Sequence, residues 1–329
     1  MKKLLALIMS VLMILCVFAS CAKTDDTKDA GKTETLSKEE IFEKAMSSAN
    51  AVENSSYSAT IALDADLMGE NVVLNAELDM AASMKNKIIF ADLFIDVMGE
   101  EIEAQSYISY GENPGTYTQV FGEWIREPLP AEALSLYEDM MANQAEAVNK
   151  LSKYMKVISA EETEYNGKAA YEIKIEYDMD IPAILGEFGI SLEDVFSEEL
   201  FGQEEIALYY ALFEDLGSVE MTQHVDKESF LPLDESCDMT AMAQKLVDKI
   251  VAFVAEMEGL SLEEMKELGF EIKVNKLLLS AGGFNYDIPE LTLPAEALEA
   301  ELIGEEDAIG IIGGADGPTE VIVAEPEIA

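Results

Sequence analysis

Few residues in this chain carry the chemistry of a nucleophile, a metal ligand or a base that works near neutral pH. There are three cysteines and one histidine. Cys237 sits in Asp234-Glu235-Ser236-Cys237-Asp238, where neighbouring acids disfavour the reactive thiolate. Together with His224 it would do nucleophilic work only if the fold brought the two side by side, and both read as structural. No His/Cys cluster has zinc spacing. Asp64/Asp66 and Asp178/Asp180 are i, i+2 pairs, which place both carboxylates on one face of a strand. They lack the glycine and terminal glutamate of an EF-hand loop and read as a solvated sheet face. Gly282-Gly283 stands alone, with no phosphate-cradling loop around it, and no G-x-S-x-G occurs. No catalytic residue, metal or cofactor is therefore expected, and the chain reads as a non-enzyme.

One thiol does have informative surroundings. Lys2 and Lys3 precede an apolar run, Leu4 to Val17, and Phe18-Ala19-Ser20 leads into Cys21 with small residues just before it. The run is short for a bilayer span, which needs about 20 residues, and its flanks are those of a processed signal. This arrangement resembles the lipobox of bacterial lipoproteins. The resemblance implies cleavage between Ser20 and Cys21 and diacylglycerol on the Cys21 thiol, with palmitate-type acyl chains anchoring the protein to the extracytoplasmic face of the cell membrane. An uncleaved anchor and an ordinary secretory signal are the alternatives. Cys16 leaves with the signal, so Cys237 has no intramolecular disulfide partner.

Charge narrows the partners. The chain has 21 basic and 66 acidic residues, a net charge of −45, and loss of residues 1–20 with Lys2 and Lys3 leaves −47. Such a surface repels phosphate backbones, so no nucleic-acid partner is expected. The acids are scattered rather than set at ligand spacing, which favours solubility over cation binding as their role.

The elements follow in order. Residues 21–35 are a polar tether that cannot bury a core. Ser37-Lys38-Glu39-Glu40 matches a capping box, and Ile41, Phe42, Ala45, Met46, Ala49 and Val52 continue at helical spacing. From Tyr57 the period is two. Strands are expected at Tyr57–Leu67, Val72–Met80, Ile89–Val97, Ile102–Tyr110 and Gly115–Ile125, with turns at Gly69-Glu70-Asn71 and Gly99-Glu100. A helix runs from Leu134 to Leu151. Strands at Lys156–Thr163 and Ala169–Tyr177 join through Asn166-Gly167, and Pro182 opens a helical insertion near 182–216. Strands return at Val219–Val225 and Phe230–Met239. A helix follows with Met242, Leu246, Ile250, Phe253, Val254 and Met257. A short helix capped at Ser261 precedes a strand at Phe270–Ser280, and an extended stretch to Leu293 has Pro289 and Pro294, which suits a sheet edge. Strands of about ten residues exceed the usual five or six and suggest a broad, curved antiparallel sheet. The fold class is α+β, one domain over 36–303, with no linker rich in Pro, Gly or Ser to divide it. Met140, Met141, Met242 and Met257 read as core filling, with a flexible apolar surface as the alternative.

This order of elements is similar to the LolA/LppX-like lipoprotein carriers and their Gram-positive lipoprotein relatives. Val225-Asp226-Lys227-Glu228-Ser229-Phe230-Leu231-Pro232-Leu233 resembles a strand–turn–strand signature of that fold, and Tyr286-Asp287-Ile288-Pro289-Glu290-Leu291 to Pro294 resembles its closing strand. The resemblance implies a half-barrel sheet with helices packed on the concave face and an acyl chain or other lipid between them, with no catalytic residues.

Residues 304–329 form an acidic, Gly-rich tail. Its Gly310-Ile311-Ile312-Gly313-Gly314-Ala315-Asp316-Gly317-Pro318-Thr319 run looks like a stretch of the beta subunit of sodium-pumping decarboxylases, with Asp316 at the position of an aspartate in the sodium path. After the signal no apolar run is long enough to cross a bilayer, and such a pump needs its ionisable groups in a membrane bundle. The expected function is thus a membrane-anchored lipoprotein that binds a lipid or other apolar ligand. The alternative is a cell-surface interaction protein whose tail docks a protein partner or is processed. An accessory role beside a sodium-translocating decarboxylase is more remote.

Overall fold

The period-two pattern is realised as one twelve-stranded sheet. The computed structural model describes residues 36–120, 122–129, 134, 150–189 and 211–302. The strands are β1 (Asn54–Leu67), β2 (Glu70–Ser83), β3 (Ile88–Val97), β4 (Glu100–Ser109), β5 (Gly115–Val120), β6 (Glu123–Glu127), β7 (Met155–Tyr165), β8 (Lys168–Asp178), β9 (Ser218–Asp226), β10 (Pro232–Asp238), β11 (Ile272–Asn285) and β12 (Glu301–Leu302). They lie in the order β12-β6-β5-β4-β3-β2-β1-β11-β10-β9-β8-β7. Neighbours are antiparallel except for β12, a two-residue strand parallel to β6. The sheet is open, with β7 and β12 at its edges.

Local chemistry sets the turns. Asn166-Gly167 joins β7 to β8 with φ of 49° and 79°, the pair of positive values that a two-residue hairpin needs to match strand twist. Met68-Gly69 and Met98-Gly99 do the same with φ of 54°/87° and 55°/92°. These turns sit one residue earlier than the sequence places them, so Glu70, Asn71 and Glu100 belong to strands. The signature at Val225–Leu233 is a turn held by Asp226, whose Oδ1 accepts from the backbone N–H groups of Glu228 and Ser229 at 3.0 and 2.8 Å. Those bonds hold its carboxyl below the usual range, with Ser229 the largest cause.

Two expectations are corrected. Gly115–Ile125 is not one strand but the hairpin β5–β6, because Gly122 takes a φ of 87° and Thr118 pairs back with Ile125. The strand expected at Phe270–Ser280 forms as β11, which lies between β1 and β10. After Asn285 the chain leaves the sheet, so Tyr286 to Pro294 is no closing strand; Pro289 and Pro294 lie in irregular backbone.

Among the described residues the helices are α1 (Lys38–Asn50), α2 (Ile181–Glu187), α3 (Thr240–Glu258), α4 (Leu262–Glu267) and α5 (Ala295–Leu298). The capping boxes at Ser37/Glu40 and Ser261/Glu264 are both complete. Helix α1 buries Ile41, Ala45, Met46 and Ala49 and packs on β7 and β8. Helix α3 solves a different problem. Strand β10 pairs with β11 only from Leu278 to Gly282, so the first half of β11 would present unpaired backbone, which is costly when covered. Side chains of α3 take that edge. Leu277 N–H donates to Thr240 Oγ1 at 2.9 Å, and Val274 N–H donates to Gln244 Oε1 at 2.7 Å. The Gln244 amide donates in turn to the Ile272 carbonyl at 3.3 Å. Thr240 and Gln244 are one helical turn apart, so both reach the same strand.

The tightest core lies under these helices. Ile173, Ile175 and Val225 are fully buried, and they cluster with Ile41, Ala45, Tyr171, Tyr177, Val219 and Met239. Met242 and Leu246 pack against that cluster. Met257, expected in the core, is 69% exposed, because it falls in the last turn of α3, beyond the part that covers β11. Met140, Met141 and the expected helix of residues 134–151 lie outside the described residues, apart from Leu134 and the last two positions. So do the tether and most of the 182–216 insertion.

Candidate functional site

The alternation of β1 sends Ala59, Ile61, Leu63 and Ala65 to one face and Ser58, Thr60, Asp64 and Asp66 to the other. Register extends the division across the sheet. Leu63 faces Leu74 on β2 and Leu277 on β11. Ala59 faces Leu78, which faces Leu93 on β3, and Ala76 faces Ile95. One face of β1–β3 and β11 is therefore aliphatic, and it continues the face that carries the buried cluster of β8–β10.

Cover over that face is uneven. Among the described residues, the helices that pack on the sheet do so on β7 and β8 (α1), β11 (α3) and β6 (α5). On β1–β3 the small Ala65 and Ala76 are buried, at 4% and 5% exposure. The longer Ile61, Leu63, Leu74, Leu78, Leu93 and Ile95 are half-buried. Each retains apolar area that water still wets, at roughly 25 cal/mol for every Å².

A polar pair interrupts the face where its covered and half-covered parts meet. The cross-strand row runs Leu93, Leu78, Ala59, Ala281, Glu235, Gln223, Ile173. Gln223 is 4% exposed. Its amide nitrogen lies 3.5 Å from Glu235 Oε2, a long contact, and its Oε1 is buried without a hydrogen-bond partner. Burial pushes the Glu235 carboxyl up to about 7, and the adjacent Asp234 charge adds to the rise. The hydroxyls of Tyr177 and Tyr286 are raised well above their usual range, first by burial and then by the Glu235 charge. The Tyr286 hydroxyl donates to the Pro232 carbonyl at 2.9 Å. Cys237, two residues along the same face, has its thiol pushed up to about 11 by burial first, with Asp238 and Glu235 adding to it. Its neighbouring acids are thus the lesser cause of that rise.

The opposite face is mostly polar, with an aromatic group of Phe90, Tyr107 and Trp124 on β3, β4 and β6. A groove of about 490 Å³ crosses β2–β5, with Glu77, Asp79, Asp92 and Glu103 along it. Gln105 donates to Asp92 at 2.8 Å. Asp64 and Asp66 share the side-chain amides of Asn71 and Asn275, and those bonds hold the Asp66 carboxyl below its usual range. Asp178 and Asp180 do not share a strand face: β8 ends at Asp178, and Asp180 caps α2 by accepting from Ala183 N–H at 3.1 Å. No group of three or more His, Cys, Asp or Glu among the described residues is placed to hold a metal ion.

His224 also lies on the polar face. Its Nδ1 is 2.6 Å from Asp234, its Nε2 is 3.5 Å from Glu172, and Tyr165 stacks on its ring. Cys237 pairs with Met221, three residues from His224, so thiol and imidazole point to opposite faces. Ser20, Cys21 and the Gly310–Thr319 motif lie outside the described residues. Sequence reasoning missed Glu235 and Gln223. Their signal is a polar residue at the apolar phase of a strand: Gln223 alternates with Val219, Met221 and Val225, and Glu235 alternates with Cys237.

Comparison with known proteins gives one family and remote structural likenesses. The model of a family of unknown function, DUF6612, matches residues 37–264. No curated protein matches the chain. Among solved structures, the lipoprotein LppX of Mycobacterium tuberculosis aligns at 9% identity over 76% of this chain and 96% of its own, with a TM-score of 0.33. A DUF1329 family protein from Desulfovibrio piger aligns at 10% identity over 78% and 96%, with a TM-score of 0.25. A beta-barrel-like protein of the domain of unknown function DUF1849 from Brucella abortus aligns at 8% identity over 57% and 86%, with a TM-score of 0.17.

Proposed function

This chain belongs to the DUF6612 family of unknown function, and from that premise we propose that it is a lipid-anchored, extracytoplasmic protein that binds a lipid or other apolar ligand on the aliphatic face of its sheet. The observation that carries this reading is the contrast along one continuous face. Ile173, Ile175 and Val225 are fully buried, whereas Ile61, Leu78, Leu93 and Ile95 are half-buried. A ligand laid over the second group would complete the burial that α1 and α3 give the first. In this reading the sheet curves as a half-barrel, the helices lie on its concave side, and the ligand lies between them and β1–β3.

Anchoring rests on the leader. Cys21 carries the diacylglycerol, and the polar residues 22–35 space the folded part from the bilayer. The net charge of −47 after cleavage keeps the sheet off anionic headgroups, so the ligand, not the membrane surface, is what meets the aliphatic face.

Native mass spectrometry of the full chain purified from its own membranes tests the proposal. The expected spectrum shows a non-covalent mass that organic extraction releases as lipid. A homogeneous, ligand-free protein that also takes up no diphenylhexatriene would overturn it.

A further inference from the structure

We propose that Glu235 and Gln223 form the polar anchor of the aliphatic face and select amphiphiles with an uncharged hydroxyl head, of the monoacylglycerol or long-chain alcohol class, over those with a carboxylate head. The inference rests on the apolar-site reading above and names the ligand class for that site.

Three observations carry it. First, Gln223 is 4% exposed and its Oε1 has no partner. A buried acceptor left unpaired is unfavourable, and natural folds leave few of them. Second, the partner that Gln223 does have is a carboxyl at the limit of hydrogen-bond distance, 3.5 Å away. A hydroxyl set alongside the pair donates to Oε1 and accepts from the Glu235 proton, or donates to the carboxylate once that proton is lost. Third, the row beside the pair is small and then greasy: Ala281 and Ala59, then Leu78 and Leu93. From β10 to β3 is four strand spacings, roughly 19 Å, the scale of a long extended acyl chain.

Charge decides between head groups. The titratable groups that interact with Glu235 on its own face are Tyr177 of β8, Cys237 of β10 and Tyr286 beyond β11, while Asp234, next to it in β10, is turned to the other face of the sheet. None supplies a positive charge. A carboxylate head would therefore lose its hydration and meet a like charge whenever Glu235 is ionised. A hydroxyl head has no such conflict in either protonation state.

The test uses the full chain and displacement of diphenylhexatriene by monolaurin and by laurate at about pH 8. Monolaurin is expected to displace the probe at a concentration about tenfold below that of laurate, the size of one good hydrogen-bond difference. Glu235→Gln should bring the two within about twofold. Gln223→Leu should weaken monolaurin roughly fivefold. Circular dichroism checks that each variant is folded. Equal displacement by the two amphiphiles in the wild type, or a ratio that Glu235→Gln leaves unmoved, overturns the anchor while leaving the apolar site. No probe uptake by the wild type removes the site and the anchor with it.

Discussion

Replacing Glu235 by Gln should make the protein more stable at neutral and alkaline pH and change little in acid. The folded-state carboxyl sits at about 7 against an ordinary value of 4.5, because burial penalises its charged form. A raised carboxyl binds a proton in the native state that the unfolded chain gives up. Its favourable contribution is complete below about pH 4.5, declines as pH rises through 7, and is gone above. The gap corresponds to about 3 kcal/mol. Glu235→Gln keeps the shape and removes the titration, so its stability relative to wild type should climb by up to about 3 kcal/mol between acid and pH 8. At roughly 2–4 °C per kcal/mol this is about 6–12 °C in melting temperature. The assay is urea denaturation of both proteins at about pH 4.5, 6, 7 and 8 and constant ionic strength. The other carboxylates titrate alike in both, so the difference isolates residue 235. Parallel pH profiles for the two proteins would refute the reasoning.

Three further outcomes are expected. Gln244→Leu should strip the acceptor from Val274 N–H, cost about 1–3 kcal/mol and speed hydrogen exchange at that amide; unchanged exchange would mean α3 does not protect the β11 edge. Ser261→Ala should cost about 1 kcal/mol through loss of the cap and let the Glu264 carboxyl, held low by the Ser261 backbone and side-chain bonds, titrate closer to its ordinary range, which an NMR titration reads. Cys21→Ala should abolish labelled palmitate incorporation and move the protein out of the membrane fraction; continued labelling would place the acyl chain elsewhere.

The elements that declared themselves in the sequence are those with local chemistry. Both Ser-x-x-Glu capping boxes, the Asn166-Gly167 hairpin, Pro182 at the start of α2 and the long alternations of β1–β4 depend on residues a few positions apart. What stayed hidden depends on neighbours far along the chain. The place of β11 in the sheet is set by its pairing with β1 and β10, and the stretch with Pro289 and Pro294, read as a sheet edge, lies in irregular backbone after the strand ends. The β5–β6 split turned on a single glycine, Gly122, inside an apparently continuous run. Glu235 looked like one acid among 66; register with Gln223, Ala281 and Ile173 is what sets it in an aliphatic row. The aliphatic face itself was legible from alternation, but its uneven cover among the described residues follows from where α1 and α3 land.

Photolabelling tests the central claim most directly. A long-chain alcohol bearing a diazirine at the far end of its chain, bound to the full chain, irradiated and mapped by peptide mass spectrometry, should mark Leu78, Leu93 and their neighbours on the aliphatic face. Labels on Glu77, Asp92 and Gln105 of the polar groove, or none above those of an irradiated control protein, would contradict the account.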